Sequence, residues 1–346
     1  MSLQNDPQLR VRQPCAAALQ SSPVVSPSSL DSIARRVPVA ALSALALSCL
    51  MAALPDTAVA GAWTQPQGDT LVIVKALHSD GRGWFDDSHH RTTFGDGQQF
   101  DGNGRSRQDQ LNVYVEHGLS DKLSFIGNFY FIEVGFNNDE PVNGAPGRAR
   151  RSTTGFADQE IGLRYALPGA ADDVWRSSVQ ALVSIPAYGR SKTYHPNNPG
   201  RDPALGLGDY GLELRYSRGR GYTLGGRNGY VDLGGAVRLR GSAASDEVRV
   251  DASTGLSLTP SWLLLGEVNV IQGLGNGRND AFVVGSTPGD SGFVATGTNY
   301  DLTKLQLSTL YTAPGGSQWQ VGYQQPVMGR NTGAAGGPFV AAWWRF

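Results

Sequence analysis

The sequence predicts an all-β fold, a transmembrane antiparallel up-and-down β-barrel of about twelve strands, and three observations lead there. Segments of period-two alternation recur from about residue 70 to the last residue, twelve in all, and a strand sends successive side chains to opposite faces. The connections between them alternate in length: short near 119–122, 168–173, 259–261 and 314–317, long near 86–104, 137–154, 188–204 and 275–299. Short periplasmic turns and longer external loops give outer-membrane barrels that alternation. The final segment, Gly336 to Phe346, alternates from Val340 onward, with Val340, Ala342, Trp344 and Phe346 on one face and Ala341, Trp343 and Arg345 on the other, and it ends on clustered Trp and Phe, which fits a membrane girdle. Such an edge is safe in water only if covered, and closure against the first strand removes it.

The amino-terminal sixty residues are compositionally distinct. All 45 glycines lie after them, and both cysteines, Cys15 and Cys49, lie within them. Arg35 and Arg36 precede an apolar run from Val37 to Leu54, followed by Ala58-Val59-Ala60, the layout of a secretory signal peptide. The competing reading is a membrane-spanning helix, for which about 20 apolar residues are needed. Pro38, Pro55 and the A-x-A site favour the signal. Residues 1–60 are therefore expected to form an extension with a signal peptide, and 61–346 the barrel, with Gly61 first after cleavage. Residues 1–34 exceed an ordinary n-region and read as a disordered extension or an upstream start.

Four of the 29 Lys+Arg and three of the 30 Asp+Glu precede residue 61, leaving 25 against 27. That balance argues against a nucleic-acid partner, which calls for a basic patch. After residue 61 there is no cysteine and no further apolar run of spanning length. A membrane protein of this composition must then be a closed β-barrel, which satisfies every backbone group in lipid.

Taken in order, the first strand is expected at Thr70–Leu77 with a possible extension to Phe85, and the second at Gln108–Gly118. The third, Leu123–Phe136, puts Leu123, Phe125, Phe129 and Phe131 outward, while Ile126, Ile132 and Val134 blur the alternation. A polar loop, Asn137–Thr154, is expected next. The fourth strand, Ala157–Leu167, sets Ile161, Leu163 and Tyr165 against Asp158, Glu160 and Arg164. The fifth carries Trp175, Val179, Ala181, Val183 and Ile185 on its apolar face, the sixth Tyr210, Leu212, Leu214 and Tyr216. Strands seven and eight come next, around Val231–Arg240 and Val248–Leu258, and the ninth runs from Trp262 to Leu274. The tenth and eleventh cover Tyr300–Thr312 and Gln318–Met328, and the last closes the sheet. The connections near 218–228 and at Gly241–Asp246 depart from the length rule. Trp175, Trp262, Trp319 and Phe346 cluster at the short-turn side, as a girdle requires.

A soluble sandwich would show the same local alternation with its charged face in water. Strands of about 9–11 residues suit a tilted membrane strand better than a soluble one. On the barrel reading the polar face is the lumen. Its candidate lining is Glu116, Asp158, Glu160, Arg164, Asp209, Glu213, Arg215, Asp232, Arg238, Arg240, Arg249, Asp251 and Glu267. An internal repeat, D-Q-E-I-G-L-R-Y from Asp158 and D-Y-G-L-E-L-R-Y from Asp209, places Asp158 and Asp209 at one depth and Arg164 and Arg215 at another. Such a ladder either lines a solute path or pairs internally to satisfy itself.

Other motifs carry less. Gly206-Leu-Gly208-Asp-Tyr-Gly211 matches the dinucleotide fingerprint formally, but the residues after it alternate with period two, where the fingerprint needs a helix. His89 and His90, with His78 or His195, lack Cys or Glu at ligand spacing, so no metal is expected. Asp96, Asp101 and Asn103 lack the closing glutamate of a calcium loop. His117 has no serine at defensible spacing, so no catalytic residue is assigned and no enzyme expected. No cofactor is expected. Pro186 and Pro326 fall near the external ends of rising strands, where a missing ladder bond ends a strand or makes a bulge.

Several stretches resemble one family: Gly61-Ala-Trp-Thr-Gln-Pro66, the Tyr114-Val-Glu-His-Gly-Leu-Ser-Asp-Lys122 hairpin, Gly206-Leu-Gly-Asp209, and the terminal Phe346. Together they are similar to the outer-membrane barrels grouped under "MetA-pathway of phenol degradation", transporters of Gram-negative proteobacteria distantly similar to the long-chain fatty-acid channels. The resemblance implies passage of small, aromatic or hydrophobic solutes across the cell outer membrane. Unlike the fatty-acid channels, this chain has no plug-like N-terminal domain in its sequence. Its expected partners are outer-membrane lipid, the barrel-assembly machinery through the strand ending at Phe346, and a small solute. Twelve strands lie between the roughly 8 that side chains fill and the roughly 16–18 of open porins, so a narrow lumen is expected, with the 86–104 stretch as a candidate occluder. The alternatives are a structural or partner-binding surface barrel without transport, or a lipid-modifying outer-membrane enzyme.

Overall fold

In the computed structural model, the structure describes residues 61–93, 103–142, 145–169, 174–189, 202–241, 244–277, 282–286 and 294–346. The leader, Asp96, Asp101 and His195 lie outside them. The described elements are β1 (Thr70–Gly81), β2 (Gly83–Phe85), β3 (Arg91–Thr93), β4 (Arg105–Ser120), β5 (Leu123–Val142), β6 (Ala145–Phe156), β7 (Asp158–Ala166), β8 (Arg176–Pro186) and β9 (Gly211–Leu224). They continue with β10 (Arg227–Arg240), β11 (Glu247–Thr259), β12 (Trp262–Gly273), β13 (Phe282–Ser286), β14 (Val294–Gly297), β15 (Asp301–Thr312), β16 (Gln318–Arg330), β17 (Thr332–Gly333) and β18 (Gly337–Arg345).

Twelve of these close into an antiparallel barrel. The main sheet runs β4-β1-β18-β16-β15-β12-β11-β10-β9-β8-β7-β5-β6, and β4 also pairs β5, which joins its ends. The last strand meets the first as expected: Leu71 opposes Arg345 and Leu77 opposes Phe339, with reciprocal backbone bonds between Thr70 and Phe346 at 2.9 and 3.0 Å. A second, five-stranded sheet, β13-β14-β17-β2-β3, is built from the external connections.

The walls follow the alternation. Leu212, Leu214, Tyr216, Val237, Val250, Leu307, Val321 and Val340 are exposed, while their neighbours Glu213, Arg238, Arg249, Ser308, Gln320 and Ala341 are buried. Buried charge beside exposed leucine is the inverse of a soluble protein and the pattern of a strand with lipid outside. The pattern of β5 is blurred because that strand is apolar on both faces: Phe129 and Phe131 are exposed outward, Ile126, Ile132 and Val134 buried inward.

Two expectations need correction. The stretch 137–154 is not a loop. β5 continues to Val142 and pairs with β6 from Phe131↔Phe156 to Val142↔Ala145, a ribbon standing beyond the apolar belt. With no lipid to face, it shows no apolar alternation to read. At Ala157 the ribbon gives way to β7, and the Gln159 side chain bridges the join by bonding the Tyr130 amide and carbonyl, both at 2.9 Å. Likewise 218–228 is not a long connection, because β9 and β10 pair down to Leu224↔Arg227. Gly225 and Gly226 turn between them with φ of 57° and 76°, the primed turn that suits strand twist. Trp343 falls on the face opposite Val340 and Trp344, where the alternation places it. It points inward, 4% exposed, in a cluster with Leu71, Ile73, Leu263, Leu265, Leu310 and Ala341.

Pro186 ends β8. At Pro326 the ladder to β15 shifts register, passing from Lys304↔Pro326 to Thr303↔Met328, so Pro326 marks a bulge.

Candidate functional site

Inward positions of β4, β7, β9, β10, β11 and β12 build a charged wall, and the register explains why. Arg164 and Arg215 both oppose Gln180 of β8, the shared depth that the internal repeat implied. The aspartates of the repeat part company. Asp158 lies in β7 opposite Pro186, is 1% exposed, and accepts from the Tyr188 hydroxyl at 2.7 Å. Asp209 precedes β9 and accepts from the Ala244 amide at 3.2 Å, so it ties two external connections together instead of joining the lumen ladder. Strand pairing of β8 with β9 stops at Ser184↔Gly211, two residues short of where Asp209 would have entered.

The remaining candidates are placed inward. Glu116 pairs with Arg164 and accepts from Tyr114 and from Gln65 Nε2, the last at 2.6 Å. Arg238 reaches Glu160 at 2.5 Å and Glu213 at 2.8 Å, and Arg215 holds Glu213 at 2.9 Å and also Asp251. Arg240 and Arg249 converge on Glu247 at 2.5 and 2.7 Å. Glu267 accepts from Gln306 at 2.7 Å, and Asp232 from the Ala62 amide at 3.0 Å. Glu247 is not among the sequence candidates, although its parity with Arg249, opposite Val248 and Val250, is the signal that could have found it.

Between these side chains lies a cavity of about 220 Å³. Its carboxylates are Glu160, Glu213, Asp232, Asp251 and Glu267, its guanidiniums Arg164, Arg215, Arg238 and Arg249, with Tyr114, Ile126 and Leu182 adding less polar surface. The Arg238 Nη1 has no hydrogen-bond partner among the described atoms.

A short segment also enters the lumen. Residues 61–68 precede β1 and cross the lumen near the short-turn end. Gln65 donates from its amide to Ser124 Oγ at 2.9 Å, the Trp63 carbonyl accepts from Arg164 at 3.2 Å, and Trp63 packs edge-on to Tyr230 at 6.4 Å. Ala62 is fully buried. This segment has no periodicity, and its partners are side chains of distant strands, so no local pattern betrays its position.

At the external end Tyr188 anchors the connection between β8 and β9. Its hydroxyl donates to Asp158 and accepts from the Gly208 amide at 2.8 Å. Burial, reinforced by Asp158, raises the phenol far above its usual range, so it stays a neutral donor. Leu205 from the same connection packs on Tyr130, Ile132, Val134 and Ala157. The residues of the formal dinucleotide motif thus lead into strand β9 and seat this loop; no helix comes after them. The histidines go to separate acids: His78 to Asp109 at 2.5 Å, His89 to Asp301 at 3.3 Å and His90 to Asp86 at 3.6 Å. His117 pairs with the Thr70 hydroxyl at 2.9 Å.

A closed twelve-stranded barrel with aliphatic and aromatic side chains outside and ion pairs inside is a transmembrane β-barrel of the outer-membrane kind. One solved structure shares that fold, and others are less similar. An outer membrane channel from Pseudomonas putida F1 is 13% identical, with a TM-score of 0.55 over 82% of this chain and 97% of that one. The translocator domain of the autotransporter NalP from Neisseria meningitidis is 13% identical with a TM-score of 0.40, covering 91% and 98%. The NanC porin is 9% identical with a TM-score of 0.39, covering 78% and 98%. At 13% identity the likeness to the Pseudomonas channel speaks to the fold alone. No family model matches the chain, and no curated protein matches it.

Proposed function

We propose that the protein is a passive channel or facilitator for small solutes in the outer membrane. The observation that carries this reading is the cavity of about 220 Å³ held inside a closed wall, between the 61–68 segment and the external connections. Ligand pockets of about 300–1,000 Å³ accept drug-sized molecules, so a space of this size suits something smaller. Ile126 of β5 and Leu182 of β8 give the charged cavity an apolar edge, the one feature of its lining that supports aromatic or hydrophobic cargo. The similarity to an outer membrane channel supports the class of activity. Barrel assembly would begin from β18, whose Phe346 closes against Thr70.

Reconstitution decides it. Planar-bilayer recording should give small single-channel currents, and removing residues 62–68 should raise the conductance several-fold by unblocking the short-turn end. Absence of current together with absence of solute-dependent liposome swelling, in both forms, would reject transport in favour of a structural or partner-binding barrel. Hydrolysis of lipid by the purified protein would favour an enzyme.

A further inference from the structure

Gly61 occupies an unusual place for a backbone. It borders the lumen cavity, its carbonyl accepts from Ser178 Oγ, and a Cβ built on it would collide with Ser217 Oγ. Its amide and that of Ala62 both donate to the carboxylate of Asp232, which is 7% exposed. Cleavage after Ala60, expected from Ala58-Val59-Ala60, turns that amide into an α-ammonium.

We infer that the mature amino terminus is a lumen cation held by Asp232, so that removal of the leader completes the interior charge network. The cavity lining has five carboxylates and four guanidiniums. Arg164 and Arg215 lie near Asp232, but the hydrogen bonds it accepts come from neutral backbone amides, and a charge-assisted bond from an ammonium is stronger than those. The ammonium supplies the fifth positive charge at the acid that otherwise receives backbone amides. In the uncleaved chain the same position is a neutral amide. Processing and the final packing of the lumen are thereby one event.

The groups facing this terminus come from several strands: Asp232 and Tyr230 of β10, Ser178 of β8, Arg215 and Ser217 of β9, and Arg164 of β7. Two of them are cations, so the pairing depends on Asp232, and the test is aimed there. Protein isolated from outer membranes is first weighed intact, which should give a chain beginning at Gly61. Reductive methylation with isotopically labelled formaldehyde, read on the N-terminal peptide and by NMR, then reports the amine. Its pKa should lie about one unit or more above the ordinary 7.7–8.0, with methylation about tenfold slower in folded than in unfolded protein. Asp232→Asn should restore the ordinary rate. If that variant fails to fold, inserting Ser-Gly after Ala60 moves the ammonium away from Asp232 and should return its pKa to the ordinary range. A chain starting elsewhere, a Gly61 amine equally reactive folded and unfolded, or an unchanged pKa in the insertion variant overturns the inference. None of these readouts involves conductance, so the channel reading stands or falls separately.

Discussion

On β7, β9, β10 and β11 the inward positions carry Glu160, Glu213, Arg238 and Arg249, each 3% exposed or less. On β1, β12, β15 and β18, toward the short-turn end, they carry Leu71, Leu265, Leu310 and Trp343, again 4% exposed or less. The two regions are equally buried, and only one borders the cavity. Apolar side chains pack to a solid because any close contact is favourable. Ion pairs must keep their geometry and their remaining hydrogen bonds, which leaves gaps between them. The solid side fixes the barrel; the charged side leaves the space a solute or a chain terminus can use.

That contrast can be broken at three places. Glu213→Ala should cost most, about 3–5 kcal/mol, because it removes the carboxylate that Arg215, Arg238 and Arg249 share and leaves each buried guanidinium one partner short. Urea unfolding followed by the heat-modifiable gel shift of the barrel measures it, and a near-neutral result would mean that water reaches these arginines. Leu265→Ala, in the apolar cluster, should cost about 2–5 kcal/mol by the same assay, with the cavity-side conductance unchanged. A conductance change there would show that the solid half also borders the path. Leu214→Arg, outward and 56% exposed, should cost about 2–4 kcal/mol if lipid covers it. Its neighbour Arg215 already sits inward, so a neutral outcome would sink the assigned inside and outside of β9.

Much of the fold is legible in the sequence because lipid and lumen impose opposite chemistries on alternate residues. Leu212, Glu213, Leu214 and Arg215 announce both the strand and its facing. Where only one environment surrounds the chain, the signal disappears. Ala145–Phe156 has water on both sides and reads as a loop, and Ile132 and Val134 meet an apolar neighbour inside as well as outside. Asp209 escapes for a different reason: the repeat fixes its spacing from Arg215, but whether β9 has already begun depends on pairing with β8, which ends at Ser184. Trp63 and Gln65 carry only a family resemblance in the sequence, because a segment bonded to remote side chains leaves no periodic trace.

In the main sheet β6 is the strand with an open edge, since β5 lies on one side and no strand pairs with the other among the described residues. Lipid cannot shield it, because Arg148 and Arg150 stand beyond the apolar belt that ends at Phe131 and Phe156. Unpaired strand edges in water recruit other strands, and the defences available are proline and like charge. Pro146, Arg148, Arg150 and Arg151 supply both within six residues. The part of the molecule most able to polymerise with its own copies is thus also the part whose composition most strongly repels them.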